Sequence, residues 1–187
     1  MNVRAIEHVG ITVPDMEAAT RFFVEAFGAE KLYDMLDAPL GGPEVEAGLG
    51  IAPGAVISAI RMLRLGNGPN LELFSYTGVQ QSQPVVPSDF GIQHICIYVD
   101  DIDAAADRLE KAGGVLLSRP GELPGGDAGE GNRYVYTRTP WGSTIELVTY
   151  PSAQAYERHT HLRRWRPGYT EPSDPLCQPS CPVGDFA

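Results

Sequence analysis

The feature that most constrains the fold is a stretch near the amino terminus that recurs 86 residues later. Residues 6–20 read IEHVGITVPDMEAAT, and residues 92–106 read IQHICIYVDDIDAAA. The two stretches share a histidine, His8 in the first and His94 in the second, and the aliphatic pattern around it. Internal similarity of this kind indicates a duplicated structural unit. Each histidine therefore occupies the same position in one of two copies.

A second pair of similar segments closes each copy. Residues 70–76 read NLELFSY and residues 144–150 read TIELVTY, so Glu72 corresponds to Glu146. The offset here is 74 residues, which means that the first copy carries about twelve more residues between its histidine and its glutamate. Surface loops tolerate insertions of that length. Each copy thus contributes one His and one Glu to any shared site.

The first unit, residues 3–76, is predicted to begin with a strand and a helix. Polar and apolar residues alternate through residues 3–13, as in a half-buried strand. Asp15 suits the start of a helix and Gly28 its end, with apolar residues at helical spacing between them. Residues 36–54 are rich in Gly, Pro and Ala and are predicted to form no regular element. Strands follow at residues 56–65 and 70–76, with a turn at residues 66–69.

A linker at residues 77–89, rich in Pro and Gln, leads to the second unit at residues 90–150. We predict that this unit repeats the order of the first. Its opening strand is followed by a helix that begins at Asp101 and ends at Gly113. The remaining elements are strands at residues 115–119, 133–138 and 144–150 and a glycine-rich loop at residues 120–132. Residues 151–187 form a C-terminal extension, in which a short helix is predicted to start at Ser152.

Composition narrows the classes of function. The chain has 14 Lys and Arg against 24 Asp and Glu, and a net charge of −10 disfavours nucleic acid as a partner. We expect no signal peptide and no membrane span, because no apolar run approaches the roughly 20 residues that a spanning helix needs. Three cysteines, two of them late in the chain at Cys177 and Cys181, do not resemble a disulfide framework. We therefore expect a cytoplasmic protein.

Strand alternation places the His and the Glu of each copy on one face. Aliphatic residues flank both Glu72 and Glu146, so these glutamates are expected to face away from the helices, towards a concave surface. Taken alone, each residue would be interpreted as an ordinary strand histidine or a solvated glutamate. Four of them in register favour a site near the pseudo-twofold axis. Two imidazoles and two carboxylates suit one divalent metal ion, with Ni, Zn, Co, Mn and Fe left open.

The openings HVGITVPD and HICIYVDD, with the closings LELF and IELV, resemble the vicinal oxygen chelate superfamily. That group contains glyoxalase I, methylmalonyl-CoA epimerase, extradiol dioxygenases, fosfomycin-resistance enzymes and bleomycin-binding proteins. The resemblance covers residues 3–150. It implies an α+β fold in which two pseudo-symmetric β-α-β-β-β modules form a cupped mixed sheet, with the helices on the outer face and a metal in the cup.

The resemblance also implies a ligand set. His8, Glu72, His94 and Glu146 fall on the four metal-ligand positions of glyoxalase I. The epimerases have a Gln where this chain has Glu72. The extradiol dioxygenases use two His and one Glu, and the bleomycin-binding proteins have lost the ligands, whereas all four are present here. Glu72 therefore favours glyoxalase-like chemistry.

Such enzymes act on a small substrate with two adjacent oxygens, through a metal-stabilised enediolate. The resemblance thus implies a lyase, isomerase or epimerase in which Glu146 or Glu72 is the base that removes a proton. Two alternatives remain open at this point. One is an Fe(II)-dependent ring-cleaving dioxygenase, and the other is a non-catalytic drug-binding or resistance protein.

The remaining expectations concern the substrate and the assembly. Lysines are few and the body is acidic, which favours a small substrate of low charge. Loops at residues 36–54 and 120–132 are candidate lids. We also expect a homodimer, because such modules often pair between two chains. By strand parity or proximity, the candidate substrate-binding residues are Thr12, Phe74, Cys96, Tyr98, Tyr136 and Trp141.

Overall fold

The computed structural model of the chain describes residues 5–164 and residue 166. The first module contains β1 (His8–Thr12), α1 (Met16–Phe27), β2 (Glu30–Asp34), β3 (Leu40–Gly41), α2 (Pro43–Leu49), β4 (Val56–Arg64) and β5 (Asn70–Thr77). The second contains β6 (Ile95–Tyr98), α3 (Ile102–Lys111), β7 (Val115–Leu116), β8 (Gly121–Glu122), β9 (Arg133–Arg138) and β10 (Thr144–Thr149). In the part of the chain that the structure covers, no helix has the length and apolar character to cross a membrane.

Each module has its own five-stranded mixed sheet. The order is β1-β5-β4-β2 in the first, with β3 also on β4, and β6-β10-β9-β7 in the second, with β8 also on β9. In both sheets the opening strand runs parallel to the closing strand, and the closing strand pairs antiparallel with the strand before it. The two sheets thus share one topology, which confirms the predicted α+β fold with two similar modules.

The helices begin where the sequence predicts. The side chain of Asp15 accepts a hydrogen bond from the backbone N of Ala18 at 2.7 Å, and that of Asp101 accepts one from Ala104 at 3.0 Å. Such caps stabilise a helix by about 1 kcal/mol each. Gly28 ends α1 with φ of 66°, a left-handed conformation that glycine adopts without steric cost.

The main hydrophobic core lies between the helices and the sheets and is shared by the two modules. Helices α1 and α3 pack against each other. Their buried side chains meet the aliphatic residues on the inner sides of β5 and β10, among them Leu73 and Leu147, both fully buried. This packing buries the face of each sheet that contacts the helices. The opposite face, which carries Glu72 and Glu146, remains available for a site.

The structure corrects several details of the predicted elements. Residues 36–54 contain the short strand β3 and the helix α2, which has no buried residue and hence no apolar stripe by which to predict it. Strand β2 is exposed along its whole length and was not predicted. The predicted strand at residues 115–119 is limited to Val115–Leu116. Residues 3–4 of the predicted first strand, and also Cys177 and Cys181, lie outside the described residues.

A buried arginine ties three elements of the first module together. Arg61 on β4 is only 6% exposed. Its guanidinium group donates to Asp34 on β2 at 2.6 Å, to Glu17 on α1 at 2.8 Å and to the hydroxyl oxygen of Thr20 at 2.9 Å. These two carboxylates keep the pKa of Arg61 above its ordinary value. The arginine is therefore permanently charged and paired inside the module.

The chain after β10 docks on the glycine-rich loop of the second module. The side-chain oxygen of Asn132 accepts hydrogen bonds from the backbone N and the hydroxyl of Ser152, both at 3.1 Å. The amide of Gln154 donates to Asp127 at 2.9 Å. Asn132 and Gln154 are almost completely buried. The short helix predicted from Ser152 is a 3₁₀ turn at Ala155–Arg158. We call residues 152–164 with residue 166 the docked tail.

Gly129 leaves the space in which the docked tail sits. A Cβ atom at this position would lie 2.3 Å from Nδ2 of Asn132 and 2.5 Å from the carbonyl oxygen of Ala153. We expect Gly129→Ala to lower the free energy of unfolding by about 1–3 kcal/mol, since backbone must move to admit the methyl group. Gly121→Ala is the matched control, because a Cβ there meets nothing within 4 Å. Urea unfolding of both variants measures the difference, and equal stabilities would contradict this account of the docked tail.

Candidate functional site

The parallel strand pairs bring one His and one Glu together in each module. Gly10 lies opposite Glu72, and Cys96 lies opposite Glu146. The Nε2 atom of His8 is 3.2 Å from Oε2 of Glu72, and the Nε2 atom of His94 is 3.0 Å from Oε2 of Glu146. Both glutamate side chains are only 12–13% exposed. The two modules thus contain the same His–Glu pair at equivalent positions.

The residue before each histidine orients its ring. Nδ1 of His8 lies 2.5 Å from a carboxylate oxygen of Glu7, and Nδ1 of His94 lies 3.0 Å from the side-chain oxygen of Gln93. Glu7 also accepts a hydrogen bond from the amide of Asn70 at 2.9 Å. The amide of Gln93 donates to a carbonyl oxygen of the linker at 3.0 Å. Both partners are acceptors towards the histidine, so they favour the tautomer with the proton on Nδ1.

This tautomer makes each His–Glu pair suitable for a cation. With the proton on Nδ1, Nε2 presents a lone pair to a carboxylate oxygen about 3 Å away, and two lone pairs at that distance repel unless a proton or a metal ion lies near both. In the absence of a metal, the hydrogen bond to Glu7 and the charge of Glu72 raise the pKa of His8, against partial desolvation. The donor set, two imidazoles and two carboxylates, fits a divalent first-row metal.

The two His–Glu pairs are not joined within one chain. Among residues 5–164 and 166, no three His, Cys, Asp or Glu side chains lie close enough together to hold one ion. A cleft of about 1250 Å³ separates the modules beside His94. It is bordered by β1, by the linker at residues 81–85 and by the turn before β10. Each chain therefore presents two separate half-sites, each with one His and one Glu.

Two of the predicted substrate-binding residues lie beside the first pair. Thr12, at the end of β1, is the register partner of Phe74 on β5, on the face that carries His8 and Glu72. The ring of Phe74 stacks on that of Tyr76 at 6.1 Å between centroids, with 12° between the planes. The first half-site is thus bordered by a flat aromatic surface.

Tyr136 and Cys96 flank the second pair. Tyr136 is the register partner of Glu146 on β9, and its ring centroid lies 5.2 Å from that of His94. Desolvation and the charge of Glu146 raise the pKa of Tyr136. Burial by surrounding atoms and nearby Glu146 raise the pKa of the Cys96 thiol to about 12, although the residue still reaches solvent. Cys96 is therefore a neutral thiol at pH 7 rather than a nucleophile.

The other two candidates lie further from the pair. Tyr98 belongs to a small apolar cluster at the far end of the sheet, where its ring packs against that of Tyr150 at 5.7 Å. Trp141 packs against Phe22 and Phe23 of α1 at 5.5 and 5.8 Å, although it also borders the cleft. Its buried indole N–H has no hydrogen-bond partner in the described structure. These contacts give Trp141 a role in packing between the modules.

Three arginines of the body are engaged in ion pairs and are not free to bind an anionic substrate. Arg61 is buried in its own ion-pair network, Arg64 pairs with Glu30, and Arg133 binds Asp103 at 2.6 Å. This pairing agrees with the expectation of a substrate of low charge. Two arginines of the docked tail, Arg164 and Arg166, instead reach the concave side of the second module.

Sequence reasoning missed Glu7, Gln93 and the docked tail. The first two could have been found, because they occupy the same position in the two copies, 86 residues apart, immediately before the histidines. The tail had no such signal, since it lies outside the repeat. Its contacts are made by single side chains, such as Gln154, that meet partners distant in sequence.

Comparisons with known proteins place the site in a family context. Residues 5–147 match the model of the Glyoxalase/Bleomycin resistance protein/Dioxygenase superfamily. A 2-epi-5-epi-valiolone epimerase from Actinomyces sp. is 38% identical over 165 residues, covering 87% of this chain and 88% of the relative. An ethylmalonyl-CoA/methylmalonyl-CoA epimerase from Cereibacter sphaeroides is 31% identical over 148 residues, covering 76% and 95%. These relatives indicate an enzyme.

A solved structure supports the fold independently. The crystal structure of a glyoxalase family protein from Bacillus cereus superposes with a TM-score of 0.63 at 21% identity, covering 80% of this chain and 95% of that chain. At this identity, the match supports the architecture of two modules and carries no argument about the reaction.

Proposed function

Because the chain belongs to the Glyoxalase/Bleomycin resistance protein/Dioxygenase superfamily, whose members generally use a divalent metal, we propose that it is a metal-dependent epimerase. Its substrate is a small molecule with an oxygen on the carbon next to a carbonyl group. The observation that carries this proposal is the presence of two His–Glu pairs in one register, His8 with Glu72 and His94 with Glu146. The two relatives above, both named epimerases, support the choice within the superfamily.

The four side chains of these pairs would hold the metal, while Glu7 and Gln93 would keep the imidazole rings in position. When bound, a divalent cation would accept two adjacent substrate oxygens and stabilise the negative charge that develops as a proton leaves the neighbouring carbon. The low exposure of Glu72 and Glu146 would strengthen these electrostatic interactions, because little water is present to screen them.

Epimerisation requires that a proton leave one face of a carbon and return to the other. The two glutamates, one from each module, are suited to this because the pseudo-symmetry of the modules would place them on opposite sides of a substrate. We infer that Glu146 removes the proton and Glu72 delivers one, or the reverse, according to which epimer is bound. No redox reagent is needed, since the electron pair of the C–H bond remains in the substrate.

We infer that a second copy of the chain completes the site. One chain carries two separate half-sites, so a dimer in which the first module of one copy meets the second module of the other would supply four ligands. Large apolar side chains on the linker and second module are exposed in the single chain and would be covered in such a dimer. They include Phe90, Ile92, Val115 and Leu117.

The test combines metal analysis with proton exchange. Protein purified without an affinity tag and without added metal is expected to contain near-stoichiometric Ni, Co, Zn or Mn. Incubated in deuterium oxide with 2-epi-5-epi-valiolone, it should place deuterium on the epimerised carbon, as followed by proton NMR. Iron with oxygen consumption would favour a dioxygenase. Absence of metal under any loading condition would contradict both enzymatic functions and leave the binding protein.

A further inference from the structure

The docked tail fixes one arginine at the concave side of the second module. The backbone N of Arg164 donates to the hydroxyl oxygen of Tyr156 at 2.8 Å, and its Nη1 donates to a carboxylate oxygen of Asp127, also at 2.8 Å. The guanidinium carbon lies 5.2 Å from the ring centroid of Tyr150, the geometry of a cation–π contact. One backbone contact and two side-chain contacts, to three different elements, hold Arg164 in a defined place.

Tyr150 connects this arginine with the second His–Glu pair. Glu146 and Val148 share one face of β10, where their partners on β6 are Cys96 and Tyr98, and Val148 packs in one cluster with Tyr150. At about 3.3 Å per residue, the Cα atoms of Glu146 and Tyr150 are roughly 13 Å apart along the strand. A chelated molecule that extends from the pair along this face would therefore point towards the guanidinium group.

The first module has no counterpart of this arrangement. Tyr76 is the residue equivalent to Tyr150, and its ring stacks on Phe74. In the described residues, both cation–π contacts involve Tyr150, one from Arg164 and one from Arg166 at 5.7 Å. The docked tail thus makes the two halves of an otherwise symmetric cup different.

Arg164 retains hydrogen-bond donors for a ligand. Its Nη1 is used by Asp127, while Nε and Nη2 make no hydrogen bond to any residue that the structure describes. About half of the side chain, 47%, is exposed. A guanidinium group carries five N–H donors in a planar fork, so a hydrogen-bonding edge remains available.

The charges around Arg164 indicate the kind of group that it would bind. Asp127 offsets the charge of Arg164, and Glu157 binds both Arg163 and Arg166 at 3.3 and 2.9 Å. The local excess of positive charge is therefore small, which suits a neutral hydroxyl oxygen better than a phosphate.

We propose that Arg164 is a substrate-positioning residue that donates a hydrogen bond to a hydroxyl group on the far side of the substrate from its metal-binding oxygens. This inference rests on the proposed function and extends it, since it adds to the substrate a hydroxyl group remote from the chelating oxygens. Such a contact fixes which way the substrate lies in the cup. It therefore determines which carbon is presented to the glutamates.

Kojic acid and allomaltol test this contact without turnover. Both are small rings that chelate metals through adjacent oxygens, and they differ only in that a hydroxymethyl group of the first is a methyl group in the second. Full-length protein loaded with Co²⁺ is expected to bind kojic acid at least about tenfold more tightly than allomaltol. This is the difference in affinity that one hydrogen bond to a charged donor usually provides. Calorimetry should show that this preference is lost in Arg164→Ala and partly kept in Arg164→Lys.

Two further arginines of the docked tail serve as controls. Arg163→Ala removes a guanidinium group that donates to the carbonyl oxygens of Thr160 and Leu162, and it should leave the preference unchanged. Arg166→Ala weakens the attachment of the tail to Glu157 while it leaves Arg164 in place. If Arg166→Ala abolishes the preference as fully as Arg164→Ala, the docking of the tail and not the donor is responsible, and the proposal is wrong.

The remaining outcomes separate this proposal from the proposed function. Binding of both pyrones with equal affinity, or an unchanged preference in Arg164→Ala, would overturn the role of Arg164 and leave the metal site intact. If neither pyrone binds the metal-loaded wild-type protein, the chelate itself is wrong and both proposals fail together. Epimerase kinetics add a second measurement, since Arg164→Ala should raise KM for 2-epi-5-epi-valiolone with little change in the melting temperature of the protein.

Discussion

Replacing Glu146 by Gln is expected to abolish turnover, with a loss of about 10²–10⁴ in kcat, the usual contribution of a positioned acid or base. The amide keeps the size and one oxygen of the side chain, so it can still occupy the position beside Nε2 of His94. It has no basic oxygen with which to take a proton. Deuterium exchange into the substrate, measured by NMR, should fall in parallel with turnover, because both depend on the same proton transfer.

Glu72→Gln is the matched control in the other half-site. Its amide cannot deliver a proton, so epimerisation should also fall, whereas deuterium exchange into the epimer that Glu146 deprotonates should persist. Metal content of both variants, determined by elemental analysis, distinguishes loss of the base from loss of a ligand. If Glu146→Gln turns over at the wild-type rate with its metal bound, Glu146 is removed from the mechanism.

A mixture of two inactive variants is expected to recover activity. His8→Ala damages the first module and His94→Ala the second, so each homodimer has only damaged sites. If sites form between the first module of one copy and the second module of the other, a mixed dimer has one site with both lesions and one intact site. After complete exchange of subunits, about one quarter of the wild-type activity should return.

The opposite geometry predicts a different result. If both His–Glu pairs of one chain close on one metal, every site in the mixture carries one lesion and no activity returns. Sedimentation analysis of each variant must first show that it remains dimeric. A monomeric wild-type protein would exclude pairing between copies and would require the two modules of one chain to move together across the cleft.

The repeat was sufficient to predict the fold class because it fixes two constraints at once. Identical patterns around His8 and His94 require identical strands, and the alternation around Glu72 and Glu146 assigns the faces of those strands. Both constraints are local and periodic. The structure follows them, and it brings each histidine beside the glutamate of its own module.

Other features could not be predicted because they depend on contacts between distant residues. Helix α2 has no buried face, so no hydrophobic period marks it. The glycines at residues 120–132 favour a lid over the site, and the structure adds a contact that they do not predict, because Gly129 makes room for Ser152 and Ala153 of the docked tail. The composition of the loop does not show this contact, because the docked tail lies some 20 residues later in the sequence.

The exchange of one carboxylate for one amide beside the histidines makes the two halves of the cup chemically unequal. The hydrogen bond to the anionic Glu7 makes Nε2 of His8 more basic, whereas the bond to the neutral amide of Gln93 has a smaller effect on His94. His8 is accordingly the stronger donor and His94 the weaker one. A cation shared between them would be bound more strongly by the first His–Glu pair and more weakly by the second, which contains Glu146. Glu146, on the weaker side, would therefore be the glutamate more readily available to remove a proton.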